Sequence, residues 1–137
     1  LYDEVKDFIK QENLINIKFL GQKNDLEAKE LIKNSDILLF TSKQEGIPLT
    51  ILEAMMLKVP IISNNFFGIE DVITDKKNGL IFKNSNIDEA KSFIDLLLRN
   101  NEINNRLVLN AYRSYNEKHS NIDKFSNEFV GLYEEIM

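Results

Sequence analysis

Residues 36–63 read DILLFTSKQEGIPLTILEAMMLKVPIIS, and the architecture turns on this stretch. It holds two uninterrupted apolar runs, Ile37-Leu38-Leu39-Phe40 and Val59-Pro60-Ile61-Ile62, separated by a segment that reads as loop and then helix. Strands with one wet face alternate apolar and polar residues, whereas strands covered by helices on both faces read as continuous apolar runs, as these do. Pro48 stands where a first helical residue belongs, because the N–H it lacks is one that a helix start leaves unbonded in any case. Leu49 to Lys58 continues with good helix formers apart from Thr50 and Ile51. The spacing predicts a βαβ unit, with strand 36–41, helix 49–58 and strand 59–63, and therefore a parallel sheet.

The alternation extends outward in both directions. Val5, Phe8 and Ile9 lie at helical spacing within 2–12, and Asn16-Ile17-Lys18-Phe19-Leu20 switches to period two before Gly21, which predicts a helix and then a strand. Residues 25–34 place Leu26, Leu31 and Ile32 near one helical face, with acidic residues early and Lys33 late, as the helix dipole favours. Downstream come a polar and aromatic loop, a short helical turn near 69–73, the turn Asp75-Lys76-Lys77-Asn78-Gly79 and a small strand Leu80-Ile81-Phe82. Helices are expected at roughly 87–99, 102–116 and 122–136, the first opened by Asn86 as N-cap. The last spaces Phe125, Phe129, Leu132 and Ile136 on one face. The fold class that results is α/β in three layers, a parallel sheet between helices, followed by C-terminal helices.

Composition bounds what such a domain does. At 137 residues, 43% hydrophobic and 28% charged, the chain has material for one core and no more. It contains no Cys, which suits a reducing compartment. Apolar runs such as Ile37–Phe40 are far shorter than the roughly 20 residues of a spanning helix. The net charge of −5 argues against a nucleic-acid partner. The chain opens on Leu1 rather than Met, as a piece of a longer protein does.

In an open parallel sheet, ligands bind beyond the carboxyl ends of the strands, so the segments after Leu20, Phe40 and Ile62 are the places to search. The segment after Phe40 is the richest. Gly46 and Pro48 keep Glu45 in the loop, whereas Glu53 lies about one turn inside the helix. The helix start offers the amides near Leu49 and Thr50 and the positive end of the dipole, a seat for phosphate that needs no basic side chain. Helical side chains lean toward the N-terminus, so Glu53 points back to that seat and suits a diol beside a diphosphate. Other readings of the same residues stand beside this one: two solvated acids at a helix start, or the acid and base of a glycoside hydrolase, which requires carboxyl groups about 5–10 Å apart.

The stretch Glu45-Gly-Ile-Pro-Leu-Thr-Ile-Leu-Glu53-Ala54 resembles the E-x7-E motif of the retaining GT-B glycosyltransferases in the family known as glycosyl transferases group 1. Phe19-Leu20-Gly21, Asn34-Ser35-Asp36-Ile37, Val59-Pro60-Ile61-Ile62, Gly68-Ile69 and Asn78-Gly79-Leu80 resemble further landmarks of that family in its order and spacing, over roughly residues 1–100. The resemblance implies a Rossmann-like donor-binding domain spanning 1–137, the C-terminal half of a GT-B enzyme whose acceptor-binding domain and diphosphate-neutralising Arg/Lys pair lie upstream. It implies that Glu45 serves the catalytic end through the donor sugar and that Glu53 holds the ribose hydroxyls. The amides of Leu49 and Thr50, with Gly46, Ser42 and Gly68 nearby, take the diphosphate and sugar, and Gly21, Gln22 and Lys23 border the base. It implies no metal and no cofactor, the substrate being a UDP- or GDP-sugar and the partner a glycan or lipid-linked acceptor. The setting implied is bacterial surface polysaccharide or glycolipid synthesis, in the cytoplasm at the inner face of the membrane, with the piece alone inactive. A non-catalytic nucleotide-sugar-binding module is the alternative.

Three positions depart from the family pattern: Lys58 stands where Gly is usual, Phe67 where the first of two glycines is common, and Asp71 where Glu is common. Phe66 and Phe67 are open to three roles, as lid, acceptor-side platform or packing. His119 reads as a surface residue rather than a base.

Overall fold

The computed structural model describes residues 2–46, 48–83 and 85–118. The expected third C-terminal helix at 122–136 and His119 lie outside the described residues. In chain order the elements are α1 (Tyr2–Gln11), α2 (Asp25–Lys33), β1 (Leu38–Phe40), α3 (Leu49–Met56), β2 (Ile61–Asn64), a 3₁₀ turn (Ile69–Asp71), β3 (Leu80–Phe82), α4 (Ile87–Arg99) and α5 (Asn101–Lys118).

The three strands form a parallel sheet in the order β1-β2-β3. Leu39 pairs with Ile62 across the first ladder, and Ile62 with Leu80 across the second. All four residues of β2 are buried, so the continuous apolar run has its expected cause. Successive strand residues point to opposite faces, and here Ile61 enters one core while Ile62 enters the other. The first core packs Ile51, Met55 and Ile61 with Ile69 and Ile73; the second packs Ile62, Leu80 and Phe82 with Ala90 and Leu97. Helix α5 serves both, sending Ala111 to the first and Leu107 to the second. The molecule therefore has the three layers expected of it.

Several boundaries and faces differ from the sequence reading. Pro48 is the N-cap of α3 rather than its first residue, with φ −78° and ψ 72°, and the first intrahelical bond runs from Ile51 N to the Pro48 carbonyl. Residues 16–20 form no strand; Ile17, Phe19 and Leu20 are exposed, and Phe19 meets the ring of Tyr2 edge-on at 4.7 Å. A period-two pattern becomes a strand only when a ladder partner lies beside it, and among the described residues none does. On α2 only Ile32 is buried, while Leu26 and Leu31 are exposed. β1 is covered mainly on one face, since Leu38 and Phe40 pack on the first core but Leu39 stays 42% exposed.

Candidate functional site

The carboxyl ends of the three strands are tied together by one side chain. Asn64, buried at the end of β2, donates from Nδ2 to the Ser42 carbonyl (3.1 Å) and accepts at Oδ1 from the Ser85 amide (3.1 Å). It thereby joins the loop after β1 to the loop after β3. Ser63 Oγ donates to the Asn64 carbonyl at 3.0 Å, and Asn65 N to the Phe82 carbonyl at 2.9 Å, which fixes the same edge. Ser42 Oγ donates to the Gln44 carbonyl at 3.2 Å and so shapes the approach to Glu45 and Gly46, both exposed. A Cβ built on Gly46 would have open space around it.

Helix α3 starts at this edge. Its amides at Leu49 and Thr50 precede the first intrahelical bond, which is where a helix leaves donors for a ligand. Leu49 is exposed and Thr50 half-buried, so the helix start faces solvent while Ile51, Leu52, Ala54 and Met55 are buried. Glu53, in the second turn, keeps 22% of its side chain accessible. Its Oε1 lies 3.8 Å from Lys29 Nζ on α2, and the same ammonium bonds Asp25 Oδ2 at 2.7 Å. The hydrogen bond to Asp25, with the nearby charges of Asp25 and Glu53, holds the Lys29 ammonium above the usual lysine range.

The remaining site residues divide. Gly68, in the loop after β2, has φ 91° and leads into the 3₁₀ turn, a conformation that favours glycine. Phe66 is buried against Phe40 with ring centroids 6.0 Å apart, whereas Phe67 is 96% exposed, so of the pair only Phe66 has the packing role. Gly21 has φ 67°, and a Cβ there would lie 2.5 Å from Tyr2 Oη. Gln22 and Lys23 are exposed, and Lys23 lines a groove of about 330 Å³ with Leu20, Glu27, Glu30, Leu31 and Asn34. Glu27, Glu30, Leu31 and Asn34 share one side of α2, while Asp25, Lys29 and Ile32 lie on the other, toward α3. The structure thus brings Ser42, Glu45, Gly46, Leu49, Thr50 and Glu53 to one edge, and the groove at Lys23 opens on the far side of α2 from Glu53.

Two residues of this site carried no clear signal in the sequence. The spacing of Asp25 and Lys29 shows a one-turn ion pair, but nothing in it shows that Lys29 also reaches Glu53. Asn64 falls in the polar and aromatic loop expected after the strand 59–63. Among the described residues, no group of three or more His, Cys, Asp or Glu is placed to hold a metal ion.

The model of the family described as "Glycosyl transferases group 1" matches residues 2–114. The chain belongs to that family. Its sheet and helices are those of the C-terminal, Rossmann-like domain of GT-B glycosyltransferases. One such structure is the C-terminal domain of a group 1 glycosyl transferase, LpcC, from Francisella tularensis. It superposes with a TM-score of 0.68 at 23% identity, over 85% of this chain and 61% of that one. A mutant of TarM from S. aureus, solved in complex with Fondaparinux, alpha-GlcNAc-glycerol and UDP, gives a TM-score of 0.77 at 26% identity, over 96% of this chain and 26% of that one. The N,N'-diacetylbacillosaminyl-diphospho-undecaprenol alpha-1,3-N-acetylgalactosaminyltransferase of Campylobacter jejuni is 27% identical over 121 residues, 88% of this chain and 31% of that protein. This group 1 domain spans about a quarter to a third of the length of the curated relatives it matches.

Proposed function

We propose that the chain is the donor-binding domain of a retaining, metal-independent glycosyltransferase that moves a sugar from a UDP- or GDP-sugar to an acceptor hydroxyl. The observation that supports this reading is the start of α3 after a strand of a parallel sheet: the Leu49 and Thr50 amides precede its first intrahelical bond, and Glu53 follows in the second turn with part of its side chain accessible. The amides and helix dipole take the diphosphate, and Glu53 accepts hydrogen bonds from the ribose hydroxyls. Glu45, exposed in the loop before the helix, faces the donor sugar. The helix dipole stabilises the charge that develops on the departing nucleoside diphosphate while the acceptor hydroxyl attacks. UDP in the TarM mutant structure supports a nucleoside diphosphate as the ligand. The acceptor, a glycan or a lipid-linked sugar as the Campylobacter relative's name suggests, is held by a domain outside these residues. The work of the whole enzyme is then bacterial surface polysaccharide or glycolipid synthesis at the cytoplasmic face of the membrane, and this domain alone does not transfer sugar.

Calorimetric titration with UDP, GDP and ADP tests the site. One of the three binds, and Glu53→Ala weakens it at least about tenfold, the scale of a charge-assisted hydrogen bond. If none binds, both to this chain and to the chain joined to an acceptor-side domain, the donor-site reading is wrong.

A further inference from the structure

The donor-site reading gives Glu53 a difficult task, and the role of Lys29 rests on that reading. A carboxylate that holds a ribose diol stands close to a diphosphate of the same sign, and like charges at that range repel. The carboxylate must also keep one orientation in order to accept two neighbouring hydroxyls. Lys29 answers both requirements from a different helix. Its Nζ lies 3.8 Å from Glu53 Oε1 and 2.7 Å from Asp25 Oδ2. An ammonium has three donors, so the bond to Asp25 anchors the lysine's flexible stem along α2 and leaves capacity for Glu53. Helix α2 is itself well fixed. Asn24 and Glu27 close a capping box at its start, with Glu27 N to Asn24 Oδ1 at 2.9 Å and Asn24 N to Glu27 Oε2 at 3.1 Å. Ile32, one turn beyond Lys29 on the same side, is buried in the core it shares with Ile51 and Met55 of α3.

We infer that Lys29 is a positioning residue for the donor: anchored by Asp25, it orients the Glu53 carboxylate and offsets that group's repulsion of the diphosphate. Lys29 does not touch the nucleotide; it acts through Glu53. A lysine that only raised the local positive potential would act on the phosphates directly and would need no Glu53.

The experiment is a double-mutant cycle on the 137-residue chain, with UDP and GDP as probes and ligand-observed NMR reading binding up to millimolar concentrations. Lys29→Met weakens binding of the nucleotide about two- to fivefold, the scale of a partly exposed ion pair, and Lys29→Arg retains most of the affinity. In the Glu53→Gln background, Lys29→Met causes no further loss. An equal loss in both backgrounds means that the charge alone acts, and overturns the positioning role; so does the absence of any loss in Lys29→Met. If Glu53→Gln itself leaves binding unchanged, or none of UDP, GDP and ADP binds the unsubstituted chain, alone or joined to an acceptor-side domain, the donor-site reading falls and this inference with it. Met is a good helix former, and Lys29→Gln serves as the second variant should Lys29→Met fail to fold. Nothing in a purely structural role for Lys29 makes its effect depend on Glu53.

Discussion

Lys58 follows the end of α3 with φ 61°, in the left-handed region that side-chain-bearing residues avoid. Its amide donates to the Met55 carbonyl and that of Val59 to the Ala54 carbonyl, the paired bonds of a helix end that normally uses glycine. This accounts for the glycine that the family resemblance led one to expect at this position. Lys58 keeps its place partly through its side chain, whose Nζ lies 4.5 Å from the centre of the Tyr112 ring. Two variants separate the terms. Lys58→Ala loses the cation–π contact, worth about 0.5–1 kcal/mol, and keeps the strained backbone. Lys58→Gly loses the same contact but relieves a cost of roughly 1–2 kcal/mol, so denaturant unfolding should find the Gly variant more stable than the Ala variant by about 1 kcal/mol. Equal stabilities would show that the backbone there carries no strain. Asn64 makes the complementary point: its two bonds to Ser42 and Ser85 depend on loops that follow other strands, so the sequence around it carries no sign of them.

Among the elements, β1 and β2 look alike in sequence and differ in burial. Both read as covered on two faces, yet Ile62 is fully buried while its ladder partner Leu39 is 42% exposed. Each carries the same kind of side chain in the same ladder, so a matched pair of substitutions measures the difference. Ile62→Ala should cost about 2–5 kcal/mol through lost burial and a cavity, and Leu39→Ala less than about 1 kcal/mol, within the range of surface changes. Equal costs would mean that the second face of β1 is covered. Helix and strand types were legible at α1, α2, β1, α3, β2, β3, α4 and α5 because their apolar spacing is local. The segment 16–20 was not, because a period-two pattern needs a neighbour that local spacing cannot supply. The turn Asn78-Gly79 was legible as a turn but not as an anchor. Asn78 is buried, accepts from Thr74 N and donates to Val72 O and to Ser114 on α5. Gly79 sits tight against Ile73, whose Cγ2 a Cβ there would meet at 3.0 Å, so any side chain would require that methyl to give way.

For the molecule as a whole, an acidic domain with a net charge of −5 is proposed to bind a diphosphate. A helix start seats an anion through amides and dipole, and Lys29, 3.8 Å from Glu53 Oε1, is inferred to offset the repulsion of that carboxylate. On the proposed reading the helix start, and not a divalent ion, takes the charge of the diphosphate. Joined to its acceptor-side domain, the protein should transfer sugar with undiminished rate in EDTA; strict dependence on a divalent cation would refute the metal-free mechanism. Residue order was enough for the parallel βαβ core, the family, and the placement of Glu45 in a loop and Glu53 in a helix, since apolar period and the positions of Gly46 and Pro48 are local facts. It took the packed molecule to make Phe66 a packing residue and Phe67 not, to let Asn64 clasp the strand ends, and to bring Lys29 to Glu53. The clasp and the ion pair join groups more than twenty positions apart, and the burial of Phe66 likewise depends on Phe40, a distant strand residue. Their geometry is therefore set by how helices and strands pack, which no local pattern of residue types encodes.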